Sequence, residues 1–304
     1  GFFIGATQSN LLELQAAVGT PENPSPRDGV CGIKVFMGSS TGDLLVDEQA
    51  ALEEIFAQTS GIIAVHAEDE TRLNKRKARF ESRDDVAAHA EWRDSETALI
   101  ATKRACGLAD ENDHRLHVLH LTSGMEADWL ASNKSSNITT EVCPQHLTFD
   151  QDDVAERGTR LIMNPPIRYT EDREALWRRL KDGTIDCIAT DHAPHLLKEK
   201  QNLYTKAPSG GPMVQHAYPA LLTAVQQGKT SLEKLVEKAC HNPAILFKIQ
   251  NRGFLREGYF ADLVLVNMNQ KFTVVKDDLL YQCGWSPFEG TTFGARICKT
   301  FVNG

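Results

Sequence analysis

The sequence predicts an α/β fold built on a parallel sheet and followed by a small β appendage. Over roughly the first 230 residues, short apolar segments rich in β-branched residues alternate with helix-like segments. This alternation is typical of parallel strands joined by helical crossovers, in a sheet that is either open or closed. After Phe247 the pattern changes to turns and short strand-like segments, without a helix of useful length.

The predicted strands are short and apolar, as expected for strands buried on both faces. They are 1–5, 31–37, 62–66, 116–121, 138–142 and 185–190, with 261–266, 272–275 and 296–302 in the appendage. The predicted helices are 10–18, 47–59, 87–107, 125–132 and 171–181. Asp47 and Thr170 stand where helix N-caps are expected. We place the domain boundary at the change of pattern, with 1–252 as the sheet and its helices and 253–304 as the appendage.

Composition excludes several classes of protein. The chain has 304 residues, 41% hydrophobic and 24% charged, which is typical of a soluble globular protein and enough for one large α/β barrel or two modest domains. A net charge of −8 argues against a nucleic-acid partner. The apolar runs are too short to cross a bilayer, so we expect no membrane partner. The 7 cysteines include no C-x-x-C pair, which predicts free thiols and a cytoplasmic location.

Polar residues stand in or directly after four predicted strands, near the end where a parallel barrel builds its active site. The first is Lys34, in the middle of the apolar strand 31–37. A buried lysine is costly unless it is paired or neutralised. Two hypotheses stay open for Lys34: pairing with a carboxylate, or carboxylation by CO₂, which converts the cation into an anionic oxygen ligand able to bridge two metals.

Histidines end two further predicted strands. His66 ends the strand 62–66, and His120 stands near the end of 116–121. A single histidine at such a place is more often a hydrogen-bonded core residue, but two at equivalent strand ends indicate a zinc site, because imidazole is the commonest zinc ligand. His117 and His120 are three residues apart, so strand alternation predicts that at most one of them faces the site.

The string Thr190-Asp191-His192-Ala193-Pro194-His195 is the strongest local signal of chemistry. It places an acid and two histidines directly after a buried strand. Asp191 has the chemistry to bind zinc and to accept a proton from a water molecule. The segments 164–168 and 207–212 are candidate substrate walls, although ordinary turn chemistry explains them equally well. We expect His89 and His114 at the surface, and His146 is a weaker candidate for orienting the metal site.

These residues together resemble the amidohydrolase superfamily and, more narrowly, the dihydroorotase family related to hydantoinases and allantoinases. The resemblance extends over nearly the whole chain. Asp-His-Ala-Pro-His and Ser-Pro-Phe-Glu-Gly together are specific, whereas Ala-Asp-Leu-Val-Leu marks the superfamily alone. The supporting strings are Gly-Ile-Lys-Val-Phe-Met-Gly-Ser-Ser-Thr-Gly (32–42), His-Leu-Thr-Ser (120–123), Asn-Pro-Pro-Ile-Arg (164–168), Thr-Asp-His-Ala-Pro-His (190–195), Gly-Tyr-Phe-Ala-Asp-Leu-Val-Leu-Val (258–266) and Trp-Ser-Pro-Phe-Glu-Gly (285–290).

The resemblance implies a (β/α)₈ TIM-like metal-dependent hydrolase barrel that holds one or two zinc ions. It implies a carboxylated Lys34 that bridges the metals, His66 and His120 on the more exposed zinc, and Asp191 both as ligand of the more buried zinc and as the catalytic proton carrier. The substrate-binding residues it implies are Asn164, His195, Gly210 and Gly211. The implied reaction is the interconversion of L-dihydroorotate and N-carbamoyl-L-aspartate in de novo pyrimidine biosynthesis, by a homo-oligomer with this small-molecule substrate.

The sequence departs from the family pattern at its start. The family begins with a strand that carries a His-x-His zinc pair, whereas none of the 10 histidines here precedes His66. We therefore expect an N-terminally incomplete barrel that starts at about the third strand, with an incomplete metal site. Two alternatives stay open. One is an allantoinase or dihydropyrimidinase activity, and the other is a catalytically silent homologue that serves as an assembly subunit, against which the retained ligands argue.

Overall fold

The computed structural model describes residues 1–40 and 43–304, so Thr41 and Gly42 of the string 32–42 lie outside the described residues. Within this described part, no helix has the length and apolar character needed to cross a membrane. The chain forms two compact units. The first comprises Gly1–Arg83, Ala88–Glu141 and Asn164–Pro166, and the second comprises Asp84–Ala87, Val142–Met163 and Ile167–Gly304. A domain boundary at residue 252 stays a prediction.

The first unit is built on parallel strands that follow one another in space as they do in sequence, which confirms the predicted α/β class. The strands are β1 (Phe2–Gly5), β2 (Val30–Phe36), β3 (Ile62–His66), β4 (Arg115–Val118) and β5 (Ile138–Val142), whose last residue belongs to the second unit. All five residues of β3 are buried, as a central strand covered on both faces requires. In the register of the sheet, Lys34 lies opposite Ala64 and Phe36 lies opposite His66.

Helices fill the crossovers between these strands. They are α1 (Leu11–Val18), α2 (Gln49–Gln58), α3 (Glu70–Lys77), α4 (Ala88–Trp92), α5 (Ser95–Glu111) and α6 (Gly124–Asn133). The helix predicted over 87–107 is therefore two helices. The break has a local cause, because the Asp94 side chain accepts hydrogen bonds from the backbone N–H and the hydroxyl of Thr97 and so begins α5. The N-cap of α2 is Glu48, so the prediction of Asp47 was wrong by one residue.

The second unit contains helices, one short strand and the appendage. Its helices are α7 (Pro144–Thr148), α8 (Gln151–Arg157), α9 (Thr170–Asp182), α10 (Leu197–Lys200), α11 (Val214–Gln226), α12 (Leu232–Val236) and α13 (Asn242–Leu246), with 3-10 turns at Gly158–Leu161, Tyr204–Lys206 and Lys276–Asp278 and a π-helical turn at Glu237–His241. Thr170 is the first residue of α9 rather than its N-cap, and its hydroxyl donates to Asp150 instead. The strand predicted over 185–190 is shorter, as β6 (Cys187–Ile188), and the Ala189 N–H donates to the Val142 carbonyl beside it.

The appendage forms the three strands predicted for it and a fourth, β9, that was not predicted, and the four make two antiparallel pairs. Its strands are β7 (Leu263–Asn267), β8 (Phe272–Thr273), β9 (Thr292–Phe293) and β10 (Arg296–Phe301), paired β7 with β10 and β8 with β9. The β8–β9 pair is anchored in the core of the second unit. That core contains Phe149, Val154, Leu161, Met163, Ile167, Met213, Ala220, Val274, Phe288 and Phe293. Burial of the appendage residues Val274, Phe288 and Phe293 therefore ties the appendage to α8 and α11.

Candidate metal and active site

Two of the predicted metal ligands meet in the first unit. His66 is the last residue of β3, and His120 lies two residues beyond β4, its neighbour in the sheet. Both side chains are buried. The Nδ1 atom of His66 and the Nε2 atom of His120 are 3.1 Å apart, and the two rings meet edge to face with centroids 4.7 Å apart. The ends of two neighbouring strands thus bring two imidazole nitrogens within 3.1 Å of each other.

The donor pair fits the zinc ion that the family resemblance implies. Two nitrogen ligands at about 2.0–2.1 Å from a tetrahedral zinc lie about 3.3 Å from each other. The observed 3.1 Å separation between His66 Nδ1 and His120 Nε2 is close to that value. Burial lowers the pKa of His66, although the hydrogen bond with Glu68 opposes this, so the imidazole favours the neutral form that binds metals.

Lys34 lies beside this pair on β2. Its side chain is half-buried, and its Nζ atom is 4.3 Å from the centroid of the Phe36 ring. Phe36 is next to His66 in the register and its ring centroid is 5.8 Å from that of His66. The positive charge of Lys34 also lowers the pKa of His66. The structure therefore brings Lys34, His66 and His120 together, whereas pairing with a carboxylate and carboxylation both stay open for Lys34.

His120 reaches the site because the backbone leaves the strand geometry. β4 ends at Val118, and His120 has a left-handed backbone with φ of 37°. A histidine pays about 1–3 kcal/mol for this conformation, and such strain is concentrated at functional sites. Glu141 holds the turn, since it accepts the His120 N–H at 3.3 Å and contacts His117 Nε2 at 2.9 Å. Glu141 thus contacts the side chain of His117 and the backbone of His120, whereas the His120 side chain contacts His66.

Asp191 belongs to the second unit. It lies three residues beyond β6, its side chain is exposed, and its φ of 44° is again left-handed. The carboxylate is therefore displayed by a strained turn at a strand end, as expected for a functional residue. Its neighbour His192 has a structural role instead, because its Nδ1 accepts the N–H groups of Met213 and Val214 at the start of α11. The two roles Asp191 was given, metal ligand and proton carrier, stay predictions.

Two predicted substrate-binding side chains are held by hydrogen bonds within their own units. In the first unit, the Asn164 Oδ1 atom is 3.0 Å from His89 Nε2. In the second unit, the Nε2 atom of His195 is 2.9 Å from the Ser209 carbonyl oxygen, and the Trp285 indole donates to the His195 carbonyl. Each contact fixes the orientation of the side chain without consuming all of its polar atoms.

His89 and His114 are both buried, so their expected surface location was wrong. His89 contacts Asn164, as described above, and His114 Nε2 lies 3.2 Å from the Thr59 carbonyl oxygen. Each partner is more than 50 residues away along the chain, so no local pattern indicates the burial. His146 is also buried, on α7, and its orienting role stays a prediction.

Gly210 and Gly211 lie buried in the second unit. Gly210 has φ of 121°, and a Cβ atom there would lie 2.7 Å from the Ala193 carbonyl oxygen, so a side chain is excluded. Its N–H donates to the Ile162 carbonyl at 2.9 Å, and the Gly211 carbonyl accepts the Ala193 N–H. A substrate contact through the Gly210 N–H therefore requires that this bond opens.

His195 also lines a cleft of about 810 Å³ in the second unit. This volume is in the range of small-molecule sites. The other walls come from the loop after Asp191, the start of α11 and the segment before Trp285, including Pro194, Glu199, Gln215, Tyr281 and Cys283. Tyr281 stacks on His192 with centroids 5.6 Å apart and so fixes one wall. The cleft gives His195 access to a small molecule.

Sequence reasoning missed several polar residues that support the site. Glu68 contacts His66, Arg93 contacts Glu68, and Glu141 contacts His117 and His120. An acid two residues after His66, at the end of an apolar strand, is the signal that would have identified Glu68. Arg93 has no comparable signal, because it lies in the charged turn between α4 and α5, and its burial depends on contacts distant in sequence.

Comparison with known proteins gives consistent results. The model of the amidohydrolase family matches residues 47–304. The dihydroorotase of Halobacterium salinarum is 37% identical over 279 residues, which cover 89% of this chain and 63% of that protein. The dihydroorotase of Pyrococcus furiosus is 31% identical over 271 residues, covering 89% of this chain and 59% of that protein. The chain thus spans less than two thirds of the length of these curated relatives.

Solved structures share the fold. The L-hydantoinase (dihydropyrimidinase) from Arthrobacter aurescens superposes with a TM-score of 0.84 at 29% identity, over 91% of this chain and 64% of that one. The dihydropyrimidinase from Brevibacillus agri superposes with a TM-score of 0.87 at 25% identity, over 100% of this chain and 68% of that one. The sequence relatives are named dihydroorotases, whereas these structural relatives are named hydantoinase or dihydropyrimidinase.

Proposed function

The chain belongs to the amidohydrolase family, and from this membership we propose that it carries the metal site of a cyclic amidohydrolase with dihydroorotase activity. The observation that carries the proposal is the convergence of His66 Nδ1 and His120 Nε2 to 3.1 Å at neighbouring strand ends, with Lys34 beside them. Curated relatives named dihydroorotase, 31–37% identical over most of the chain, support dihydroorotate as the substrate.

In this proposal, His66, His120, Lys34 and Asp191 hold one or two zinc ions, with Lys34 as a carboxylated bridge. Bound zinc supplies a Lewis acid that polarises the ring amide carbonyl and stabilises negative charge on its oxygen. Asp191 accepts a proton from the attacking water and passes it to the leaving ring nitrogen. Its exposed carboxylate, at the end of a strand, is suited to both contacts.

Asn164, His195 and the loop at Gly210 and Gly211 are proposed to bind the substrate. The Nε2 atom of His195 faces the Ser209 carbonyl, so it carries the proton and donates. The Nδ1 atom of His195 then acts as an acceptor for a ring N–H. Dihydroorotate also carries a carboxylate, which dihydrouracil and hydantoin lack, so recognition of that carboxylate separates the two candidate activities.

A dihydropyrimidinase activity is the second candidate, because the solved structures that share the fold carry that name. The test is ring opening of L-dihydroorotate, dihydrouracil, hydantoin and allantoin in zinc and bicarbonate, followed by chromatography of the ureido acids. It is run on this chain and on the complete product of its gene, with Asp191→Asn as the inactive control.

We expect turnover of L-dihydroorotate alone. Turnover of dihydrouracil or hydantoin instead would support a cyclic amidohydrolase activity but overturn dihydroorotate as its substrate. Absence of all turnover in the complete gene product, with zinc bound, would favour a catalytically silent assembly subunit.

A further inference from the structure

We propose that Glu68 is a positioning residue that locks the His66 imidazole in the Nε2–H form, so that Nδ1 is presented to the metal, and that Arg93 fixes Glu68 for this purpose. The inference rests on the proposed metal site. Glu68 and Arg93 have no part in the proposed reaction. The evidence is the set of contacts around His66 Nε2, the ring nitrogen that faces away from His120.

The two nitrogens of His66 face different partners. Nδ1 is 3.1 Å from His120 Nε2, and Nε2 is 2.8 Å from the Glu68 Oε2 atom. The same Glu68 Oε2 atom accepts a hydrogen bond from Arg93 and therefore acts as an acceptor, so the His66 ring places its N–H at Nε2. The lone pair of neutral His66 then stands at Nδ1, on the side of His120. Carboxylates that hold a metal-binding histidine in this manner also increase the basicity of the ligand.

Glu68 is buried and is held in place by a hydrogen bond from Arg93. Its side chain is fully buried, and the Arg93 Nη1 atom donates to the same Oε2 atom at 2.7 Å. Arg93 is itself buried and also donates to the hydroxyl of Ser39. A charge-assisted bond between buried groups is strong and leaves little freedom of orientation. One carboxylate oxygen thus joins a buried guanidinium to the predicted metal ligand.

The backbone also restricts where Glu68 can lie. A Cβ atom built on Gly38 would lie 2.3 Å from the Glu68 carbonyl oxygen, so the two segments are in direct backbone contact. Just before this contact along both segments, the Met37 N–H donates to the His66 carbonyl. These contacts bring the chain after β2 against the chain after β3, and the Glu68 carboxylate is held against His66 as a result.

The first test is the tautomer of His66 in the metal-free chain, measured by ¹⁵N NMR of the imidazole nitrogens. We expect an unprotonated Nδ1 and a protonated Nε2. A protonated Nδ1 in the neutral ring would overturn the proposal without any variant being made. This measurement does not depend on zinc binding or on activity.

The second test is zinc affinity, determined by competition with a chromophoric chelator. Glu68→Gln should weaken zinc binding by about 10–100-fold and lose the fixed tautomer, because an amide can donate to Nε2 as well as accept from it. Since this variant leaves Arg93 buried without its carboxylate, Glu68→Gln/Arg93→Met is the backup if the single variant fails to fold.

The matched control is Glu126→Gln. Glu126 is also a buried carboxylate of the first unit and accepts from the Thr102 hydroxyl, and we expect its variant to retain wild-type zinc affinity. Equal zinc affinity and an unchanged tautomer in the Glu68 variants would remove Glu68 from this role and leave the proposed function intact. Failure of the wild-type protein to bind zinc would instead overturn the proposed metal site, while the tautomer measurement would still test the role of Glu68.

Discussion

Lys200→Met should remove a pH dependence of folding stability that arises from a buried ammonium group. Lys200 is fully buried, and its Nζ atom donates to the carbonyls of Ile162 at 3.0 Å and Pro208 at 2.7 Å. Burial lowers the pKa of Lys200 to about 7 from its usual value of 10.5. The neutral amine still has the two N–H groups that these carbonyls require, so the fold accepts the loss of the proton.

The sign and size follow from proton linkage. Between about pH 7 and 10.5 the unfolded chain holds a proton at Lys200 that the folded chain has lost, so the free energy of unfolding rises with pH by up to about 1.4 kcal/mol per unit. Below about pH 7, Lys200 is protonated in both the folded and the unfolded chain. Its contribution to the free energy of unfolding is therefore independent of pH there. From about pH 7.5 to 9.5, the wild-type chain should gain about 2–3 kcal/mol relative to the Lys200→Met variant.

The assay is urea unfolding followed by tryptophan fluorescence at intervals of half a pH unit. The difference between wild type and variant is the quantity of interest, because contributions from other titrating groups cancel in it. Lys198→Met is the matched control, since it removes one exposed lysine from the same helix, α10. A difference between wild type and Lys200→Met that stays constant over this pH range would refute the reasoning.

Three further predictions concern single residues. Asp191→Asn should lower kcat by at least about 100-fold with an unchanged circular dichroism spectrum, and near-normal rates would remove Asp191 as the proton carrier. Lys34→Ala should lower zinc content by elemental analysis, with partial restoration by small carboxylic acids, and unchanged zinc would exclude the bridge. Asp94→Ala should destabilise the chain by about 1–2 kcal/mol, because Asp94 caps α5 and pairs with Arg72. Burial alone would raise the pKa of Asp94, but hydrogen bonds from Arg72 and Thr97 lower it to about 2. The stabilisation by Asp94 is therefore present above about pH 4 and lost on acidification toward pH 2. A difference in urea midpoint between wild type and Asp94→Ala that persists at pH 2 would contradict this prediction.

The predicted strand 116–121 is shorter in the structure, so strand periodicity does not govern the orientation of His120. In the structure β4 ends at Val118, two residues before His120. Beyond that point the left-handed backbone of His120 redirects its side chain, and Glu141 stabilises the turn from the neighbouring strand. Strain of this kind is supported by contacts distant in sequence, so a local pattern does not reveal it.

The amino-acid sequence by itself determined the α/β class, the positions of most strands, and the residues that interrupt them. A strand buried on both faces must be apolar, so Lys34, His66 and His120 stand out against such a background, and Asp191 stands out just after one. The tertiary structure alone decided which polar groups meet. The Glu68–Arg93 pair spans 25 residues, the His89–Asn164 contact spans 75, and the hydrogen bond from the Met213 N–H to His192 spans 21. Contacts of this range depend on how elements pack, and packing leaves no periodic trace in the local sequence.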